Sequence, residues 1–302
     1  MLSTLWIDEP GAELVVQDDA WLGTAMRAFI RDGYAIIPKA VSHQAIDRYL
    51  KEVDRTVGAR EGLKAIYCDR LTDVEDATLT TPLTKVLDTY MFAPSALDIM
   101  FAPKVNKFLK AVFRDDVLAH QGLHFEVGST QAIHQDTLYV VVDRPLNLAA
   151  AWVALEDIQE GSGELTYYPG SHRFPQRLFG GDRKHWAVEI DGPEAHSEHL
   201  AWLHDEAGRR GIAAQSFLPK KGDVLIWHAD LAHGGGAITR PGVTRRSLVT
   251  HYCPLANTPY YFQGVPHAKK IPVGRNAVSS YYYDRPLTRG GLGQQLRSLL
   301  NA

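Results

Sequence analysis

The sequence predicts an all-β core, a double sheet or closed barrel, carried behind a helical N-terminal region. Three observations lead there. From Val117 onward, short runs rich in β-branched, aromatic and other apolar residues recur at regular spacing, each bounded by Gly, Pro, Asp or Ser turn signals. Before that point the apolar residues fall at helical spacing instead. The 302 residues suit one large domain, or at most two.

In order, Trp21 to Asp32 reads as a helix with Trp21, Leu22, Met26, Phe29 and Ile30 at helical spacing, ended by Asp32-Gly33. Tyr34 to Pro38 is a short strand. Ser42 caps a second helix running to about Val57, with Ile46, Tyr49, Leu50 and Val53 on one face. Thr81 to Tyr90 and Pro94 to Val112 read as further helices, the latter with Leu97, Met100, Val105, Leu109 and Val112 as its stripe. Strands are expected at Val117 to Val127 and at Tyr139 to Val142. Leu148 to Leu155 is apolar enough for a buried strand, and Leu165 to Tyr168 follows the Gly161-Ser162-Gly163 turn. The turn Lys221-Gly222-Asp223 feeds Val224 to Trp227, and Arg245 to Tyr252 is the last core strand.

Arg173 to Gln215 interrupts this pattern. It is rich in His, Trp and charge, helical over Ser197 to Arg210, and too long for a hairpin connection. A single domain over 1–302 is expected, with a helical region over 1–116, a core over 117–252 and an extension over 253–302. The insertion 173–215 is read as lid-like, shielding a reactive centre from solvent.

A chain of this size buries roughly three quarters of its unfolded surface, so a bound metal is expected to be chemical rather than structural. Hydrophobic residues make up 45%, charged residues 22%, and the net charge is −3. That balance argues against nucleic acid or an anionic membrane surface as a partner. Cys68 and Cys253 make no disulfide framework and no C-x-x-C pair. Residues 1–10 lack the basic and apolar regions of a secretory signal, and no apolar run is long enough to span a membrane. A reduced, cytoplasmic location is expected.

The chemistry centres on His134-Gln135-Asp136. On an extended segment, residues two apart share a side, so one imidazole and one carboxylate can grip a metal from adjacent corners. His233, in His233-Gly234-Gly235-Gly236, is the candidate third ligand. Two His and one carboxylate on one face form the facial triad of non-haem Fe(II) oxygenases, although zinc accepts the same donors. His228, five residues earlier, is the competing ligand. His120, His124 and His251 are expected as pocket walls or satisfied core groups, and His185, His196, His199 and His204 as surface residues. Gln121 and Thr137 are candidate polar groups near the metal and its cosubstrate.

Several motifs in order then resemble the phytanoyl-CoA dioxygenase family of Fe(II)/2-oxoglutarate oxygenases. They are His134-Gln135-Asp136, Gly163-Glu164-Leu165, Pro169-Gly170-Ser171-His172, Lys221 to His228, His233 to Gly236, and Arg245-Arg246-Ser247. Trp152 falls where the family has a Trp near the cosubstrate, and residues 32–38 also resemble the family's start. The resemblance spans about Trp21 to Tyr252. It implies a double-stranded β-helix, a jelly-roll of the cupin kind, with helices outside. It also implies Fe(II) on His134, Asp136 and His233, with 2-oxoglutarate chelating iron and O2 as the third reactant. Arg245 and Ser247 would hold the far carboxylate of 2-oxoglutarate, with Trp152 beside it.

Family members often have Ser where this chain has Gly235, which removes one polar contact to the cosubstrate. Halogenating relatives lack the carboxylate that Asp136 supplies, so hydroxylation or desaturation is implied. Arg245 and Arg246 must face opposite ways on a strand. Only Arg245 has a hydroxyl two residues on, which favours it as the carboxylate clamp.

The expected function is hydroxylation of an unactivated C–H bond of a small molecule, with decarboxylation of 2-oxoglutarate to succinate. The rivals are another cupin-like metal enzyme, an isomerase or hydrolase, and a non-catalytic small-molecule binder. The family's substrates include acyl-CoA thioesters, amino-acid derivatives, secondary metabolites and envelope sugars such as Kdo. The chain has no basic run near the motifs suited to CoA phosphates.

Overall fold

The computed structural model describes residues 5–16, 20–59, 62–68, 70–74, 79, 81–82 and 84–287. Its first strands are β1 (Tyr34–Ile37), β2 (Lys64–Tyr67), β3 (Arg70–Asp73), β4 (Thr84–Leu87) and β5 (Val117–Phe125). Next come β6 (Ala149–Ala154), β7 (Leu165–Tyr167), β8 (Gln215–Phe217), β9 (Val224–His228) and β10 (His233–Gly235). The chain closes with β11 (Ser247–Pro254), β12 (Ile271–Val273) and β13 (Asn276–Val278).

The larger sheet runs β1-β9-β6-β11-β5-β4-β2-β3, with β13 paired parallel to β5 and β12 to β13. The smaller sheet is β10-β7-β8. This is the jelly-roll architecture expected, with the N-terminal helices packed on the larger sheet and the insertion's helix in a separate cluster with Phe174 and Ala232.

The two faces of β6 show why its sequence reads as an unbroken apolar run. Ala150, Trp152 and Ala154 pack inward with Phe125, Leu165, Tyr167, Phe217, Leu225, Trp227 and Val249, so both sheets contribute to this cluster. Ala149, Ala151 and Val153 pack outward with Val224, Ile226, Leu248 and Tyr252 against the helices. Both faces are therefore dry, and period-two alternation of polarity is lost.

The helices Ala20–Asp32 and His43–Gly58 form as expected. Ser42 caps the second by accepting the Ala45 N–H at 3.2 Å. At the end of the first, Gly33 has φ +80°, and an added Cβ would lie 2.5 Å from His172 Nδ1. Glycine lets the Pro-Gly-Ser-His turn pack directly on this helix end.

Several expectations are corrected. Thr81 to Tyr90 is not a helix: β4 occupies Thr84–Leu87, and a 3-10 turn follows at Thr89–Met91. Pairing with β2 and β5 outweighs an ambiguous short apolar pattern. Residue 83 of that stretch lies outside the described residues, as do 288–302 of the C-terminal extension. Pro94 to Val112 splits into helices Ala96–Met100 and Pro103–Phe113, because Pro103 starts a helix and cannot continue one.

Tyr139 to Val142 makes only an isolated bridge, Val142 to Pro259. In the insertion, the helix begins earlier than expected and spans Val188–Arg209, kinked at Gly192-Pro193. Arg245 precedes β11, although its N–H still donates to Glu126 O at 2.9 Å.

Candidate metal centre

His134 and His233 meet because they face each other across an antiparallel bridge. Each N–H donates to the other's carbonyl at 2.9 Å, so both side chains leave on the same side. Gln135 is extended, φ −108° and ψ 138°, which brings Asp136 to that side at the start of a 3-10 turn. One donor atom from each of His134, Asp136 and His233 lies within 4.8 Å of the others. Asp136 Oδ1 is 3.8 Å from His134 Nε2 and 3.6 Å from His233 Nε2.

The neighbours fix which atoms converge. His134 Nδ1–H donates to Ala132 O at 2.8 Å, and His233 Nδ1–H donates to Leu231 O at 2.9 Å. Each ring therefore turns its Nε2 lone pair toward the centre, where the Gln131 side-chain amide nitrogen lies 3.3 Å from His134 Nε2. The Trp227 indole N–H donates to Asp136 Oδ2 at 2.7 Å, which leaves Oδ1 between the imidazoles.

Burial, and then the neighbouring His233, pushes His134 down to about 3; burial also lowers His233, with Asp136 opposing. Burial works against charge on Asp136, but His233, His251 and His134 outweigh it and hold the carboxyl well below the usual range. Two neutral imidazoles and one carboxylate are the protonation states a divalent metal needs.

The cavity over this cluster is lined by Trp152, Arg245, Phe125, Leu165, Val249 and Ser129, among others. Arg245 is buried over the rings of Phe125 and Trp152, with Nη1 donating to Gly163 O at 3.0 Å. Burial pulls this guanidinium down to about 10, with Glu164 opposing. Arg245 Nε, Ser247 Oγ and Trp152 Nε1 are buried without a partner. Arg246 instead pairs with Glu126 at 2.7 Å on the outside, so the inward register is that of Arg245, Val249 and His251, which line the cavity; Ser247 shares that register and is buried but does not itself line the cavity.

The structure does not bring every candidate to the cavity. Thr137 is buried, but its hydroxyl donates to Asp230 Oδ1 at 2.7 Å. Gln121 lies opposite His251 in the β5–β11 register, within hydrogen-bonding reach of the Tyr282 hydroxyl. Neither residue lines the cavity.

His228 is excluded from the cluster. Its Nδ1 accepts the Asp230 N–H at 3.1 Å, and its Nε2 lies 3.2 Å from Asp8 Oδ1. His124 is satisfied by Tyr49 and Glu126. His199, expected at the surface, is buried with Nε2 3.2 Å from Gln135 Oε1.

His251, expected as a pocket wall or core group, lines the cavity with Nε2 3.4 Å from Asp136 Oδ2. Two features escape sequence reasoning. Trp227 anchors Asp136, for which only its inward register on β9 gives a signal. At Gly235, an added Cβ would lie 2.7 Å from Ser129 Oγ and 2.8 Å from Thr130 N. A serine does not fit there, and Ser129 lines the cavity at that point instead.

The family model for phytanoyl-CoA dioxygenase (PhyH) matches residues 29–247. The chain belongs to the phytanoyl-CoA dioxygenase family. A family relative from Caenorhabditis elegans, "phytanoyl-CoA dioxygenase domain-containing protein 1 homolog", is 20% identical over 181 residues. That match covers 48% of this chain and 63% of the relative's length.

Among solved structures, the epimerase SnoN in complex with Fe3+, alpha-ketoglutarate and nogalamycin RO is similar, with TM-score 0.59 and 21% identity. The match covers 80% of this chain and 87% of SnoN. EctD from S. alaskensis, with 2-oxoglutarate and 5-hydroxyectoine, has TM-score 0.53 and 19% identity, covering 76% of this chain and 74% of its own. At these identities the likeness is one of fold.

Phytanoyl-CoA dioxygenase family enzymes use Fe(II), 2-oxoglutarate and O2. The residues here fit that set. His134, Asp136 and His233 would hold the metal, and the unpartnered Arg245 Nε and Ser247 Oγ offer donors to a carboxylate.

Proposed function

We propose that the protein is an Fe(II)- and 2-oxoglutarate-dependent oxygenase that hydroxylates an unactivated C–H bond of a small molecule. The observation that carries this reading is the pairing of two features in one cavity. Neutral imidazoles and a charged carboxylate converge in the cavity, and a buried Arg with an unspent Nε lines it as well. When bound, iron and 2-oxoglutarate supply the oxidising power, with release of CO2 and succinate.

The chain's own residues do the rest. His134, Asp136 and His233 grip the metal. Arg245 clamps the distal carboxylate and Ser247 donates its hydroxyl proton to it. Trp152, Phe125 and Leu165 keep water from the cosubstrate. The inserted segment 173–215 would act as a lid over the substrate; none of its residues lines the metal cavity, and it approaches through Tyr139, whose ring lies 5.4 Å from that of His134 and whose hydroxyl is 2.6 Å from His196 Nε2.

A small-molecule substrate is supported by the molecules seen in SnoN and EctD, nogalamycin RO and 5-hydroxyectoine. Among the described residues no helix is long and apolar enough to cross a membrane. Cys68 and Cys253 are both free, as in a reducing compartment, and we read the protein as cytoplasmic.

The test is succinate formation with Fe(II), 2-oxoglutarate and O2 over amino-acid derivatives, cyclic secondary metabolites, sugars and acyl thioesters. Substrate-stimulated succinate with a product gaining one oxygen is expected. An epimer of unchanged mass would move the protein to epimerisation, and a product lacking two hydrogens to desaturation. No O2-dependent succinate with any class would sink the oxygenase reading.

A further inference from the structure

The inserted segment reaches the metal turns through one buried carboxylate. Asp230 Oδ2 is 2.9 Å from Lys184 Nζ, with the two side chains only 1% and 3% exposed. The same oxygen accepts Gln176 Nε2 at 3.2 Å, and Oδ1 accepts the Thr137 hydroxyl at 2.7 Å. The Asp230 backbone carbonyl accepts Gln135 Nε2 at 2.8 Å, and the Gln135 side-chain oxygen lies 3.2 Å from His199 Nε2. Gln135 and Thr137 flank Asp136, and Asp230 stands three residues before His233. Lys184, Gln176 and His199 all belong to the insertion.

A buried ion pair rarely adds net stability over apolar side chains of the same volume, because desolvating both charges offsets their attraction. What such a pair does well is fix geometry, since each hydrogen-bonded partner has one arrangement that satisfies it. Here the arrangement joins the two turns that carry the metal ligands. Metal sites depend on this kind of support, and losing it typically weakens binding by about 10- to 100-fold.

We infer that Lys184 and Asp230 form a clamp by which the insertion sets the spacing of Asp136 and His233. They are positioning residues: neither touches the metal, and both act through Thr137, Gln135 and the backbone before His233. The insertion is thereby a component of the metal centre's frame. This inference rests on the metal reading proposed above.

The experiment is titration of Co(II) into the apoprotein of this 302-residue chain, following Co(II) absorption and the thermal midpoint of the metal-free protein. Lys184→Met should raise the Co(II) Kd by about 10- to 100-fold and alter the Co(II) absorption bands. Lys220→Met, at the exposed Lys220–Asp157 pair, should change neither. Should Lys184→Met fail to fold because it strands the Asp230 charge, Lys184→Met/Asp230→Asn leaves no buried charge unpaired and should show the same loss. A Kd within about twofold of wild type and unchanged bands in a folded variant would overturn the clamp alone. Wild-type protein that binds no Co(II) would overturn the metal reading and the clamp together.

Discussion

Alanine at His134, Asp136 or His233 is expected to abolish iron-dependent turnover and to weaken metal binding by more than about 100-fold, beyond what loss of a supporting residue produces. Each substitution removes one of three donors that lie within 4.8 Å of one another. The fold should survive. The inner cluster between the sheets and the outer cluster against the helices are apolar and contain none of the three ligands. His228→Ala should keep metal binding, since that ring is spent on Asp8 and the Asp230 N–H. Circular dichroism with Fe(II) or Co(II) titration checks the set. Metal binding retained in His233→Ala and lost in His228→Ala would show that the wrong histidine had been assigned.

Arg245→Lys should raise the 2-oxoglutarate requirement by about 10- to 100-fold, the effect of losing roughly 1.5–3 kcal/mol from charged hydrogen bonds. Lysine keeps the charge but loses the planar fork that can meet a carboxylate through two parallel bonds. The fork matters here because Arg245 is 2% exposed and has an unspent Nε, and the Ser247 Oγ two residues on is also buried and unspent. Arg246→Ala should stay within about threefold of wild type, because its pair with Glu126 is partly solvated. KM for 2-oxoglutarate in both variants decides it. A larger effect at Arg246 would contradict the assigned register and the inward placement of His251.

The metal cluster and the β-rich core were legible because they follow local rules. His-x-Asp on extended backbone shares a side, and Arg-x-Ser on a strand does the same. The β6 run is apolar on both faces and so announced a buried strand. What stayed hidden depends on contacts distant in sequence. β4 has apolar residues spaced ambiguously and becomes a strand only by pairing with β2 and β5. The short strands β2, β3, β12 and β13 carry too few apolar residues to stand out. His199 sits on a polar helix and becomes buried only where Gln135 meets it. Gly235 looked like a lost contact, yet Ser129, more than a hundred residues earlier, fills the space beside it.

The central claim is that one cavity holds both the metal and a 2-oxo dicarboxylate. Anaerobic titration of 2-oxoglutarate into the Fe(II)-loaded protein tests this most directly, because chelation of Fe(II) by a 2-oxo acid produces a visible charge-transfer band. The account predicts that the band appears and saturates in wild type, needs far more 2-oxoglutarate in Arg245→Lys, and is absent in Asp136→Ala. A wild-type protein that binds Fe(II) tightly but develops no band at any 2-oxoglutarate concentration would contradict the account. The metal would then act as a Lewis acid, or as one element of a binding site without oxidative chemistry.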